Sequence, residues 1–288
     1  MRVHVVTDSG AQFAHAQVTT QYPLTVVPNK LQIGGRSYLE GVDIDAAQAL
    51  ELVSHQPTPP RVVAPAVDDY VALYTRLAYH NDVVISVHMS RRLSDSWQNA
   101  HDAAAQVSGH VKVYVIDTMT LDAAQGMIVR TALQAAEQLR NGRCAAEEAV
   151  EQVRGATERV YAVYYTPKLD YLVHHRLISP SHAVLNGLYG TIPLLSVDDG
   201  TIALTEKTRS KAQSVDRLVE FASEFEAIED ALILQSGSLA SEQISSLQEQ
   251  LTNLFEDQHF PRALYGASLA SLIGVNAVGL AILEKSVL

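Results

Sequence analysis

Two α/β domains packed against each other are the fold this sequence predicts, and three observations lead there. Short apolar runs alternate with helical patterns almost to the C-terminus, the signature of layered strands and helices. In the first half a helical pattern separates most strand candidates, which calls for a largely parallel sheet. In the second half Asp198-Asp199-Gly200 sits between two apolar runs, a hairpin signal that makes the second sheet mixed. At 288 residues with 47% hydrophobic and 18% charged side chains, the chain is long enough for two domains and rich enough to bury a large core.

Taken in order, strands are predicted over residues 2–7, 24–28, 83–89, 111–116, 160–165, 192–197, 231–235, 262–265 and 278–283. Helical periodicity covers 46–53, 68–79, 95–108, 122–140, 145–157, 211–225 and 241–256. Asp68, Asp122, Ser210 and Ser241 stand where helix N-caps belong. The long helical region ends near Glu158, which divides the chain into domains 1–158 and 159–288. With no repeat and no low-complexity linker, the two should pack together.

Residues 82–105 are the most informative stretch. An apolar run from Val83 to Met89 stops at Ser90-Arg91-Arg92-Leu93-Ser94-Asp95-Ser96, and an Ala-rich helix pattern follows. Strand, hydroxyl-rich turn and helix start together aim backbone N–H groups, three serine hydroxyls and roughly half a positive charge of helix dipole at one spot. Two arginines lie in the same turn, so an anionic group is expected there. Asp8-Ser9 and Asp117-Thr118 also end predicted strands, and ligands of open parallel sheets collect at that edge.

Charge and motifs remove other classes. A net charge of −11 without a Lys/Arg block argues against nucleic acid and against an anionic membrane surface. A single cysteine, Cys144, excludes a disulfide framework and reads as a small helix-face residue. The N-terminus runs straight into a strand pattern and no apolar run reaches membrane-spanning length, so the expectation is a soluble, cytoplasmic protein. Neither a phosphate-binding Gly-x-x-x-x-Gly-Lys nor a Gly-x-Gly-x-x-Gly is present. His174-His175 and His182 lack a zinc-binding spacing, because adjacent side chains on regular structure point apart. Gly266-Ala267-Ser268-Leu269-Ala270 resembles a loosened nucleophile elbow, but no histidine follows Ser268 to complete a hydrolase triad in chain order. No cofactor or metal is expected.

Taken together these segments resemble the DegV family of bacterial two-domain, fatty-acid-binding proteins over the whole chain. Val5-Val6-Thr7-Asp8-Ser9 is similar to its opening strand; Val26-Val27-Pro28 and the stretch from Gly35 to Ile44 are similar to the next segment, with Glu40 where Asp is usual. Residues 90–100 resemble "SSxLSGTYQSA", and Val115-Ile116-Asp117-Thr118 with Gly126 resembles the "IDS" element. Leu169-Asp170-Tyr171-Leu172 through Arg176, Lys207-Thr208-Arg209, and residues 273–279 complete the order. The resemblance implies a ligand cleft between the domains, a long-chain fatty acid or related lipid as ligand, and a carrier that presents the carboxylate to a separate fatty-acid kinase without chemistry of its own.

It also implies a head-group site in which this chain departs from its relatives. The family's carboxylate-binding threonine aligns with Val62, its serine is kept as Ser94, and its C-terminal histidine becomes Asn276. A second serine becomes Arg91 beside the retained Ser90, and a glycine becomes Asp95. Losing the threonine removes a charge-assisted hydrogen bond worth about 1.5–3 kcal/mol. Arg91 either offsets that loss with its planar two-donor fork or is a solvated turn residue. A competing reading keeps the cleft for another small anion, bound by a sensor or enzyme and anchored by Arg91 and Arg176; a third is a degenerate relative with no lipid.

Overall fold

The computed structural model describes residues 1–14, 22–167, 169–237, 242–255 and 258–286. The first sheet is wholly parallel, in the order β2 (Leu24–Val27), β1 (Val3–Asp8), β6 (Val83–His88), β7 (Lys112–Asp117). Every residue of β6 is buried, so its C-terminal end projects the polar turn at 90–95 from a rigid base.

A small antiparallel sheet, β4 (Arg36–Leu39), β3 (Lys30–Ile33), β5 (Arg61–Val63), flanks it. Sequence reading places no strand there, because runs of three or four residues are too short to display alternation. The helices of this half are α1 (Ala46–Ser54), α2 (Val67–Ala78), α3 (Ser96–Gln106), α4 (Asp122–Arg140) and α5 (Ala146–Thr157).

The second large sheet is mixed, as expected. Its order is β10 (Thr201–Thr208), β9 (Ile192–Asp198), β8 (Val160–Tyr165), β13 (Val278–Glu284), β11 (Ile228–Gln235), β12 (Arg262–Leu264). Only the β11–β12 pair is parallel among the described residues. The β9–β10 hairpin turns at Asp199 and Gly200, both at positive φ (44° and 75°), the two-residue geometry that Asp-Gly favours. Helices α6 (Asp170–His174), α7 (Pro180–Tyr189) and α10 (Ala267–Ile273) are additions to the predicted set, and α8 (Lys211–Ser223) and α9 (Glu242–Leu254) match it.

Helix α4 joins the halves. Thirteen of its residues are buried, and the apolar ones from Ala123 to Leu139 share one cluster with Val5 and Ile85 of the parallel sheet and with Ala162, Leu232 and Ala281 of the mixed sheet. Gly126 is required inside this helix: a Cβ there would sit 1.8 Å from the Gln12 carbonyl oxygen.

The caps differ in part from expectation. Ser210 caps α8 by accepting from Gln213 N. At α2 the cap position is Ala66, whose N–H donates to Asp69, so Asp68 is one residue inside the helix. Asp122 begins α4 in the left-handed region (φ 60°) and its carboxyl reaches Ala123 N at 2.9 Å and Gly266 N at 2.7 Å, tying two helix starts together. Ser241 lies outside the described residues.

Candidate functional site

A cavity of about 470 Å³ opens at the C-terminal end of β6. Three segments wall it: β5 and the residues after it (Arg61, Val62, Val63, Ala64, Ala66), the turn and the start of α3 (Met89, Arg91, Arg92, Leu93, Ser94, Asp95, Asn99), and Ser268, Ser271 and Leu272 of α10. Sequence positions 61–99 and 268–272 thus meet across one space.

Of the six residues chosen from sequence, the wall brings together Val62, Arg91 and Ser94. Ser94 stands just ahead of α3, and its Oγ accepts from Ser96 N at 3.2 Å, the capping service that Asp95 in the N-cap position does not perform. Ser90 is fully buried beneath the turn. Its hydroxyl donates to the Gly200 carbonyl at 2.7 Å and accepts from Arg92 N, so it anchors the turn to the β9–β10 hairpin and is not part of the wall.

Asn276 is a correction. It does not line the spot shared by Ser94 and Val62; it is exposed and lines a separate cavity of about 230 Å³ with Tyr165 and Lys211. Gly274 (φ 83°) ends α10, and Asn276 lies beyond it, two residues before β13 begins. Arg176 is likewise off the wall, exposed at the end of α6 with φ 59°.

Arg91 is committed elsewhere. Its Nε lies 3.3 Å from Asp117 Oδ2, and its guanidinium stacks over Trp97, 5.4 Å from the ring centre. Arg92 pairs with Asp199 at 2.6 Å. The residues that sequence reading missed are Arg61, Arg92, Asn99, Ser268, Ser271 and Leu272. A signal for the last three exists: spaced i, i+3, i+4, they share one face of a helix.

A buried polar relay supports the turn from below. Asp8 Oδ2 accepts from His88 Nδ1 (3.0 Å), Met89 N (3.1 Å) and Ser96 Oγ (2.9 Å), while Oδ1 accepts from Gly10 N and Gln125 Nε2. With its one hydrogen given to Asp8, Ser96 Oγ accepts from Tyr70 OH at 2.7 Å. His88 Nε2 faces Ser86 Oγ at 2.7 Å, and that hydroxyl meets Tyr74 OH at 2.7 Å. Burial alone drives the Asp8 carboxyl upward, but the hydrogen bond and charge of His88, with Gln125 and Met89 N, outweigh it and hold the group below its ordinary value.

Asp8, His88 and Ser86 have the connectivity of a serine-hydrolase triad. Ser86, however, lies within β6 and has no solvent exposure, so its hydroxyl meets no external substrate. The relay holds the strand end and the helix start in register.

Two further carboxyls grip α10. Glu40 Oε2 accepts from Ser9 Oγ (2.7 Å), Asn29 Nδ2 (3.2 Å) and Ser268 Oγ (3.4 Å). Burial pushes Glu40 up to about 7, against the pull of Ser9 and Asn29 and with the help of the Asp8 charge. Burial likewise pushes Asp122 up to about 8, with Gly266 N and Ala123 N opposing and the Glu40 charge adding. Among the described residues no three His, Cys, Asp or Glu side chains gather as a metal site, and no helix is long and apolar enough to cross a membrane.

Known proteins share this layout. "Protein DegV" of Bacillus subtilis (strain 168) is 25% identical over 283 residues, covering 97% of this chain and 98% of that protein. The solved structure of DegV from Bacillus subtilis, described as a fatty acid binding protein, superposes with a TM-score of 0.84 at 25% identity, over 99% of this chain and 100% of that one. A fatty acid binding DegV family protein from Streptococcus agalactiae gives 0.87 at 22% identity with the same coverage. The Fatty Acid Kinase (Fak) B3 protein of Streptococcus pneumoniae, loaded with linoleic acid, gives 0.82 at 18%, again over 99% and 100%. A family profile described as that of an uncharacterised protein, DegV family, matches residues 2–285, and with nearly every residue so matched this chain belongs to the DegV family.

Proposed function

We propose that this protein binds a long-chain fatty acid or a related lipid in the cavity at the end of β6, and carries it with the carboxylate presented to a separate fatty-acid kinase. One observation carries this reading: serine, arginine and apolar residues (Ser94, Arg61, Val62, Val63, Leu272) line one space of about 470 Å³. That size falls in the range of small-molecule sites, roughly 300–1,000 Å³. Each buried methylene of a tail contributes about 0.8 kcal/mol, so the chain supplies affinity and the head group sets register. Two relatives described as fatty acid binding, and a third as a fatty acid kinase B3 protein loaded with linoleic acid, support the same ligand class and partner.

In this reading the chain is a cytoplasmic carrier with no reaction of its own. Its halves are two domains divided near Glu158, and a wall drawn from residues 61–99 and 268–272 supports a cleft between them. The competing small-anion reading loses an anchor, since Arg176 is not on the wall.

Organic extraction of the purified protein, with native mass spectrometry, tests the proposal. A bound fatty acid, or uptake of added palmitate or oleate, is the expected result; lipid-free protein that takes up neither overturns it. Ser94 has a definite share. Its oxygen already accepts from Ser96 N, which leaves the O–H to donate to a carboxylate. Ser94→Ala should weaken palmitate binding by about 1–2 kcal/mol. Unchanged affinity in a titration places the head group elsewhere.

A further inference from the structure

We infer that Arg61, and not Arg91 or Arg92, is the cationic anchor that selects an anionic head group in this cavity; the inference rests on the lipid-binding reading and names the residue that replaces the missing threonine hydroxyl.

Three arginines line the cavity, Arg61, Arg91 and Arg92. Arg91 cannot be withdrawn without penalty. Asp117 Oδ2 is buried without a hydrogen-bond partner, and Arg91 is the cation paired with it at 3.3 Å, so moving the guanidinium to a ligand strands a buried carboxylate oxygen. The stacking on Trp97 holds the same side chain a second time. Arg92 is held by Asp199 at the hairpin tip, on a turn that Ser90 pins to Gly200.

Arg61 differs from both. Among the described residues its side chain has no ion pair and no hydrogen bond. It opens β5 opposite Gln32, next to Val62, on the wall facing the 90–95 turn. A guanidinium without an internal partner gives up hydration but no protein partner when a carboxylate arrives, and its two-donor fork fits that group. The opposing term is Asp95, an acidic residue on the same wall whose carboxylate caps nothing. The pair makes the site a discriminator: Arg61 attracts the anion and Asp95 limits how tightly it is held.

Palmitate and its uncharged methyl ester, titrated in parallel, read the charge itself. The wild-type protein should prefer palmitate. Arg61→Ala should lose about tenfold or more for palmitate and bind the two ligands alike, while Arg61→Lys, which keeps a charge without the fork, recovers part of the preference. Arg91→Ala and Arg92→Ala should keep the preference, and Asp95→Asn should raise palmitate affinity. Thermal melts of each variant separate binding loss from unfolding. The assignment is overturned if Arg61→Ala still prefers palmitate, or if the preference vanishes in Arg91→Ala or Arg92→Ala instead. Wild-type protein that binds both ligands equally also rejects the anchor while leaving lipid binding intact. Binding of neither rejects the lipid reading and the anchor with it.

Discussion

Asp8→Ala should destabilise the protein by about 3–5 kcal/mol, because it removes a buried carboxylate and leaves its buried donors unpaired. Asp8 is fully buried and receives five donors: His88 Nδ1, Met89 N, Ser96 Oγ, Gly10 N and Gln125 Nε2. Alanine accepts from none of them, and the buried donors are left without water to replace the carboxylate. Asp8→Asn nearly preserves shape but turns an NH₂ toward donors, so it should recover only part of the loss. Urea unfolding of the three proteins measures the difference. A loss below about 1 kcal/mol in Asp8→Ala would show that the relay does not support the fold. Met89 and Ser96 bracket the turn that carries Arg91 and Ser94, so ligand affinity should fall along with stability.

The second large effect is a dependence on pH set by Glu40 and Asp122. Glu40 ionises near 4.5 in the unfolded chain and near 7 when folded. Between those values the folded protein holds a proton that the unfolded chain has released, so stability falls as pH rises and levels off above the folded value. Asp122, moving from 3.8 to about 8, adds a decline of the same sign over a wider window. At about 1.4 kcal/mol for each tenfold change in ionisation constant, Glu40 alone accounts for roughly 3 kcal/mol between pH 4.5 and 8. Asp8 acts in the opposite direction: its depressed value contributes stability that is lost only as pH falls below the ordinary carboxylate range. Unfolding measured at pH 5 and pH 8 should show a less stable wild type at pH 8, and Glu40→Gln should remove about two-fifths of that difference, Asp122 supplying the larger share. An identical pH dependence in the variant would mean that Glu40 is ionised in the folded state throughout. Because Glu40 meets Ser268 at the start of α10, the same titration bears on the cavity wall.

How far the site could be read from sequence varies residue by residue. Ser94 and the strand–turn–helix around it were legible, because one continuous segment sets its own geometry: a buried strand, a polar stop and a helix start. Val62 was located through the resemblance. Arg61, one residue earlier, carried no signal, since its importance depends on Arg91 and Arg92 having found Asp117 and Asp199. Asn276 was misplaced because α10 ends at Gly274 and Asn276 lies beyond it. Ser268 was noticed only as a failed hydrolase serine; its place on the wall comes from a short helix wholly buried between the halves.

By itself the sequence determined what local chemistry determines. The run at Val160–Tyr165 and the helical period at Asp122–Arg140 coincide with β8 and α4, because apolar periodicity is a property of consecutive residues. The Asp-Gly hairpin was set by two residues that tolerate positive φ. The alternation of strands and helices led to the α/β class, and ordered motifs to the family. Tertiary structure alone decided which charges are spent and which remain. The partners of His88 and Arg91 lie 80 and 26 positions away in the chain, and the cavity needs segments separated by more than 160 residues. Ion pairs and buried hydrogen bonds depend on distance in space and on exclusion of water, and neither is written in the spacing of residues along a chain.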